Sequence, residues 1–163
     1  MTNGIEYSVI IPAYNEEKII ADTIDRVFKF FNSIDKPFEI IIANDGSKDG
    51  TAKIVSSKLK RYSSLRLVNN IVNMGRGAAL TNAINNSRGD LIIYVDADLA
   101  IDLDLFPKLV SAIENNGIDI AVGSKHLKDS VVDYPTLRRI FSKCYSFLAR
   151  ILLGSYIRDY QCG

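Results

Sequence analysis

Asp96 and Asp98 stand one residue apart, directly after the run Leu91-Ile-Ile-Tyr-Val95. That run is short, rich in β-branched residues and almost wholly apolar, which predicts a strand buried on both faces. Two carboxylates then emerge together where the strand leaves the core. Like charges a few ångströms apart repel, and a divalent cation relieves the repulsion. Hard cations such as Mg2+ take oxygen ligands, commonly one or two carboxylates completed by substrate phosphates. Asp96-Ala97-Asp98 therefore reads as a metal–diphosphate site. Such a triplet also arises by chance or as a helix cap. Its place favours chemistry, because ligands of open α/β sheets bind outside the carboxyl ends of the strands.

Three earlier loops carry chemistry of the same kind. Pro12-Ala13-Tyr14-Asn15-Glu16 follows the first apolar run. Pro12 lacks a backbone donor and is expected to end the ladder. Asn15 can cap the next helix, leaving N–H groups there for an anionic or polar ligand. Asn44-Asp-Gly-Ser-Lys-Asp-Gly-Thr51 follows the second run. Asp45 can accept hydrogen bonds from a nucleobase or ribose, or close an Asx turn, and Ser47 or Asp49 can cap the helix after it. Asn73-Met-Gly-Arg-Gly-Ala-Ala-Leu80 opens a helix after the third run. Arg76 and the helix N-terminus can hold phosphate. The segment matches neither the dinucleotide fingerprint nor a P-loop.

These loops need a frame, and the hydropathy pattern supplies one. Apolar runs at 7–11, 38–43, 65–68, 91–95 and 118–122 read as strands. Helical spacing covers 17–31, with Ile20, Ile24, Val27, Phe28 and Phe31 inward, and also 49–62 and 77–86. It returns at 105–115, started by Asp104, and at 136–153. Strands alternating with helices predict βαβ units and an α/β fold: a mostly parallel sheet with helices on both faces, in a single domain over 1–163. The chain of 163 residues is 47% hydrophobic and 24% charged, ordinary for a globular domain. Its net charge of +1 gives no field for nucleic acid. Two cysteines suggest no disulfide framework and a reducing compartment. The opening residues lack a signal-peptide pattern, and no apolar run approaches the roughly 18 residues of a membrane span.

Taken in order, Ile-Pro-Ala-Tyr-Asn-Glu, Asn-Asp-Gly-Ser-Lys-Asp-Gly-Thr, Asn-Met-Gly-Arg-Gly-Ala-Ala and Val-Asp-Ala-Asp-Leu closely resemble the large inverting glycosyltransferase family two. The resemblance spans nearly the whole chain. It implies the Rossmann-like GT-A architecture, a nucleotide-diphosphate-sugar donor and Mg2+ or Mn2+. By that likeness Pro12, Ala13, Tyr14, Asn15, Glu16 and Asp45 line the nucleoside, Arg76 joins the donor site, and Asp96, Ala97 and Asp98 meet the metal and diphosphate.

The last third resembles the polyprenyl (dolichyl) phosphate glycosyltransferases, through Gly123-Ser-Lys-His-Leu127, Arg138-Arg139 and Ile157-Arg-Asp-Tyr-Gln-Cys-Gly163. The nearest likeness is the dolichyl-phosphate glucosyltransferase branch, which carries Asp-Thr-Gln-Cys-Gly-Phe-Lys at the end. Here Tyr160 replaces the Thr, and Lys125 replaces a usual Arg, losing bidentate phosphate holding. The chain stops where Phe-Lys would come next, so a fragment truncated at its C-terminal end is expected. Ala100 stands where the mannose-transferring branch often has a metal-binding Gln, which favours glucose and a UDP-sugar over a GDP-sugar.

A lipid phosphate monoester is mostly dianionic at neutral pH, its second pKa lying near 6. It can attack an anomeric carbon without a general base, so the protein must supply position and charge. Lys125, Arg138 and Arg139 are the candidate cations for it, alongside Asp96 and Asp98 on the donor side. A sugar-hydroxyl acceptor would instead require a base, for which Asp159 is the late candidate. Helix 136–153 sets an apolar stripe opposite Arg139, Lys143 and Arg150; a charged face of this kind is commonly just solvated, and it is the resemblance to polyprenyl-phosphate transferases that favours a membrane interface, with the enzyme at the cytoplasmic face of a membrane. Two rivals stand beside this reading. A sugar nucleotidyltransferase would show Gly-Thr-Arg in the first loop, and Pro-Ala-Tyr-Asn-Glu disfavours it. A non-catalytic sugar-nucleotide-binding module would bind donor without turnover.

Overall fold

The computed structural model describes residues 4–123. These fall into two compact units divided after Leu103.

In the first unit four strands alternate with three helices: β1 Tyr7–Ala13, α1 Ile20–Ser33, β2 Phe38–Asp45, α2 Thr51–Lys58, β3 Leu65–Asn70, α3 Arg76–Asn85 and β4 Leu91–Tyr94. The strands pair in parallel in the order β3-β2-β1-β4. The chain thus winds outward from β1 to β3, then returns to the other side of β1. That reversal puts the topological switch point at the carboxyl ends of β1 and β4, where open α/β sheets bind their ligands.

Strand alternation sends successive side chains to opposite faces. On one face Tyr7 and Phe38 meet Phe31 of α1, with ring centroids 6.3 and 5.8 Å away. Val9, Ile11, Ile40 and Ile42 share that strand parity and are fully buried, as are Ile20, Ile24 and Val27 of α1. On the other face Ile10, Ile41 and Ala43 pack against Ala79 and Ala83 of α3. Small residues on α3 let it lie close to the sheet. Helices therefore cover both faces, as the pattern predicts, and each fully buried aliphatic side chain contributes about 1.5–3 kcal/mol.

Several boundaries differ from the sequence reading, each for a pairing reason. β1 runs through Pro12 to Ala13, paired with Ala43 and Asn44. Ile10 accepts from Val95 N–H, so its polar groups face β4. Pro12, two residues on, faces the same side past the end of β4, where no donor is needed. β3 continues to Asn70 because Asn69 and Asn70 form side-chain bonds with Asn44 and Asp45, 2.7 and 2.8 Å. α1 starts at Ile20 rather than 17, because residues 16 and 17 are committed to another loop. α2 ends at Lys58, and Tyr62 beyond it stacks on Phe28 at 4.3 Å, leaving Leu59 exposed.

A 3-10 turn over Leu103–Leu105 leads into α4, Phe106–Asn116, the helix of the second unit. The N-cap position is Leu105, with Asp104 in the 3-10 turn before it, and Pro107 stands in the helix's first turn. Residues 118–122 form no strand among the described residues. Ile118, Ile120 and Val122 are exposed there: a β-branched run becomes a strand only where a neighbour completes its ladder. No helix among the described residues is long and apolar enough to cross a membrane.

Candidate active site

The four loops noted in the sequence all leave the carboxyl ends of strands, so the parallel sheet carries them to one edge. The first two are clasped together. Asn15 N–H donates to Ser47 Oγ at 3.0 Å, Glu16 N–H to Thr51 Oγ1 at 2.8 Å, and Glu17 N–H to Asp49 Oδ2 at 3.1 Å. In return Lys48 N–H donates to Asn15 Oδ1 at 2.8 Å and Gly50 N–H to Glu17 Oε2 at 2.7 Å. This corrects two expectations. Asn15 does not cap α1; it takes a left-handed turn at φ 57° and bridges to the second loop. The amides expected to be free for an anion are satisfied by side chains 32 to 35 residues away. Ser47 and Asp49 therefore serve the clasp, although Asp49 Oδ1 also accepts from Thr51 N–H at 3.0 Å.

Beside the nucleoside contact that the resemblance implies, Asp45 has a task within the fold. It is 4% exposed. Its Oδ1 accepts from Met74 N–H at 3.0 Å and Asn70 Nδ2 at 2.8 Å, and its Oδ2 accepts from Gly75 N–H at 2.8 Å. The carboxylate thus pins the third loop. Burial pushes its proton affinity up, but the bonds from Met74, Asn70 and Gly75 outweigh that and hold it below the ordinary 3.8.

The pinned loop delivers Arg76 to the fourth. Arg76 Nη1 lies 3.2 Å from Asp96 Oδ1 and donates to Tyr94 Oη at 3.0 Å. Tyr94 Oη in turn donates to the same Asp96 oxygen. Asp96 is therefore not the unpaired carboxylate that its spacing suggests. Asp98 is exposed, and its Oδ1 accepts from Ala100 N–H at 3.0 Å. The turn from Asp96 to Leu99 places Leu99 at φ 50° and is closed by Leu99 N–H to Asp96 C=O at 3.0 Å. Ala97 between the two carboxylates is buried, and its carbonyl accepts from Thr23 Oγ1 of α1 at 2.6 Å.

The four loops also share one electrostatic field. Glu16 holds its proton more tightly than an ordinary carboxyl. Burial is the first cause and the charges of Asp98 and Asp49 the next, while Arg76 opposes them. Residues from all four loops thus act on one carboxyl group. The surplus negative charge around Glu16 and Asp98 suits a divalent cation. Among the described residues Asp96 Oδ2 accepts no hydrogen bond. No group of three or more His, Cys, Asp or Glu among the described residues could hold a metal alone. Two carboxylates completed by a substrate's phosphates fit the site better.

Of the remaining expected residues, Pro12 and Ala13 end β1, and Tyr14 is 41% exposed. Arg76 is also exposed. Lys125, Arg138, Arg139, Asp159 and helix 136–153 lie outside the described residues. The sequence reading missed Tyr94 and the Asp49–Thr51 clasp. Tyr94 had a signal: it is the one hydroxyl-bearing side chain in an aliphatic strand, two residues before Asp96 and so on the same side.

Comparison with known proteins is consistent with this geometry. The family model "Glycosyl transferase family 2" matches residues 8–163. Glycosyltransferase AglD of Haloferax volcanii is 36% identical over 162 residues, 98% of this chain but 26% of that protein. The dolichyl-phosphate beta-glucosyltransferase of Dictyostelium discoideum is 37% identical over 99% of this chain and 53% of its own length. The chain therefore spans about a quarter and about half of these two relatives. Among solved structures, the mannosyltransferase PcManGT of Pyrobaculum calidifontis, in complex with GDP-Man and Mn2+, superposes with a TM-score of 0.58. It is 27% identical and covers 72% of this chain and 34% of its own.

Proposed function

The chain belongs to glycosyl transferase family 2, and from that premise we propose that it carries the donor half of an inverting transfer. A sugar, with glucose favoured, moves from a UDP-sugar to a polyprenyl or dolichyl phosphate. The observation that carries the donor side is the convergence of Glu16, Arg76, Asp96 and Asp98 at the carboxyl edge of the sheet, where the strand order reverses. The acceptor reading is supported by the Dictyostelium relative, whose name specifies dolichyl phosphate, and by the cations Lys125, Arg138 and Arg139 in the sequence.

Asp96 and Asp98 would hold Mg2+ or Mn2+. A cation bound there would neutralise charge on the departing diphosphate. Arg76, on its long exposed stem, adds a second positive charge within reach of the same phosphates. The clasp between the first two loops holds Tyr14, Asn15 and Glu16 as a preformed wall for the nucleoside, so little ordering entropy is lost on binding. On the acceptor side Lys125, Arg138 and Arg139 collect the lipid phosphate, whose dianion attacks the anomeric carbon without a base. The basic and apolar residues of 136–153 lie outside the described residues; their spacing in the sequence supports peripheral contact with the cytoplasmic face of a membrane, where such a lipid presents its headgroup.

A transfer assay decides this. UDP-glucose, UDP-N-acetylglucosamine and GDP-mannose are each offered with a polyprenyl phosphate in vesicles, with Mn2+ and with chelator. Product from UDP-glucose, abolished by chelator and by Asp98→Asn, is expected. Arg138→Ala and Arg139→Ala should each lower transfer roughly tenfold, about 1.4 kcal/mol of transition-state stabilisation. Product from GDP-mannose alone would reverse the donor assignment. Full activity in chelator would remove the metal. If Asp159→Asn abolishes turnover while both arginine variants stay active, the acceptor is a hydroxyl.

A further inference from the structure

We propose that Tyr94 is the positioning residue of the metal site, holding Asp96 by one oxygen and leaving the other to the ion, and that Arg76 is an exchangeable stand-in for the cation at that carboxylate. The inference rests on the proposed role of Asp96 as a metal ligand. Its evidence is the local geometry, in which three groups meet at one atom. Tyr94 Oη donates to Asp96 Oδ1. Arg76 Nη1 donates to Tyr94 Oη at 3.0 Å and lies 3.2 Å from the same Oδ1. The phenol hydroxyl therefore both gives and receives, which fixes its direction. Its proton is aimed at one carboxylate oxygen, and among the described residues the other accepts nothing.

The two holders differ in how firmly they are anchored. Tyr94 is the last residue of β4, half-buried, with its backbone in register against Ile10. Its ring cannot leave without disturbing the strand. Arg76 stands at the first position of α3 with 65% of its side chain exposed. A guanidinium on such a stem exchanges partners at little cost, because an exposed ion pair is worth only a small stabilisation. When a divalent ion reaches Asp96, a guanidinium 3.2 Å from Oδ1 is repelled. Arg76 is the group that yields, and the donor's phosphates are the nearest anions for it to accompany. Tyr94 stays, so the ligand oxygen keeps its orientation while the positive charge beside it changes identity. With no donor bound, Arg76 quiets the charge of Asp96; with donor and metal bound, it becomes available to the diphosphate.

The exchange predicts opposite effects of two mild substitutions on one quantity, the affinity for Mn2+ alone. Free Mn2+ is monitored by electron paramagnetic resonance during titration of the 163-residue chain, without nucleotide and then with UDP. Removing a partner that orients a metal ligand typically costs about tenfold or more in metal affinity, so Tyr94→Phe should bind Mn2+ about tenfold more weakly. Its melting temperature and its UDP affinity in chelator should be unchanged, which a merely structural role for the phenol would not produce. Arg76→Gln removes the competing cation and should tighten nucleotide-free Mn2+ binding about threefold, the size expected of an exposed pair. That gain should vanish or reverse with UDP present. If Tyr94→Phe binds Mn2+ as tightly as the unsubstituted chain, or Arg76→Gln gains nothing, the inference is overturned while the metal site stands. If the unsubstituted chain takes up no Mn2+ even with UDP, the metal reading falls, and this inference with it.

Discussion

Replacing Asp45 by Asn removes one oxygen and one charge while keeping the shape, and its cost is set by the three bonds that the carboxylate accepts. The Asn carbonyl can stay in the place of Oδ1 and keep Met74 N–H and Asn70 Nδ2. Its amide nitrogen then takes the place of Oδ2 and faces Gly75 N–H, donor against donor. The opposite rotamer is worse: it sets the amide against two donors, and Asn70 cannot turn over because its own Oδ1 accepts from Asn82 Nδ2 at 2.9 Å. So one charge-assisted bond is lost, worth about 1.5–3 kcal/mol, and two others drop to neutral strength, about 0.5–1.5 kcal/mol each. Two effects offset this. A buried charge no longer has to be held away from water, and Gly75 N–H retains a bond to Asn73 Oδ1 at 3.2 Å and is exposed to solvent. The net loss should be about 2 kcal/mol, which for a chain of this length lowers the melting temperature by about 4–8 °C. Calorimetry measures the total. Amide hydrogen exchange locates it, since Met74 and Gly75 should lose protection while the strand amides of β1 and β2 keep theirs. UDP affinity should fall as well, because the loosened loop carries Arg76. A variant that melts within about 1 °C of the unsubstituted protein, with Met74 and Gly75 exchanging at unchanged rates, would refute the assignment of Asp45 as the anchor of this loop.

Gly46→Ala should destabilise by about 3 kcal/mol, read as a shift in the urea midpoint. Gly46 sits at φ +66°, and an added Cβ would lie 2.5 Å from the Val72 carbonyl carbon and 2.6 Å from Asn73 N, both backbone atoms that cannot rotate away; a shift under 1 kcal/mol would contradict that packing. Stability should also fall in acid. Glu39 is buried, which pushes its proton affinity up, but Arg66, the Ser8 hydroxyl and Arg88 N–H outweigh this and hold it below the ordinary 4.5. Asp45 lies below 3.8 for the like reason. Groups lowered in the folded state add stability that is full above their unfolded values and lost as pH falls through the folded ones. The urea midpoint should be level above about pH 5 and drop below about pH 4, with a shallower drop in Glu39→Gln; a midpoint unchanged down to pH 3 would count against both carboxylates.

Much of the molecule is written in local pattern. Aliphatic runs with two-residue alternation specified β1 to β4, and helical spacing of Ile20, Ile24, Val27 and Phe31 specified the inward face of α1, because both periodicities arise from backbone geometry alone. The polar loops were equally legible, since Asp, Asn, Gly and Arg clustered after apolar runs have few other places to go. What local pattern left open was partnership. Asp45 read as a nucleoside contact or an Asx turn, and nothing local showed that it also anchors a loop 29 and 30 residues further on. Asn15 read as a helix cap and bridges to Ser47 and Lys48. Asp96 read as unpaired and meets Arg76 and Tyr94. A strand at 118–122 was plausible by composition and has no ladder among the described residues. In each case the deciding contact depends on which strands are neighbours. By itself the sequence determined which chemical groups emerge at the carboxyl edge of the sheet. The order β3-β2-β1-β4 decided which of them touch, because hydrogen bonds and charges act over a few ångströms and only the folded chain brings residues 15 and 47, 45 and 74, and 76 and 96 within that range.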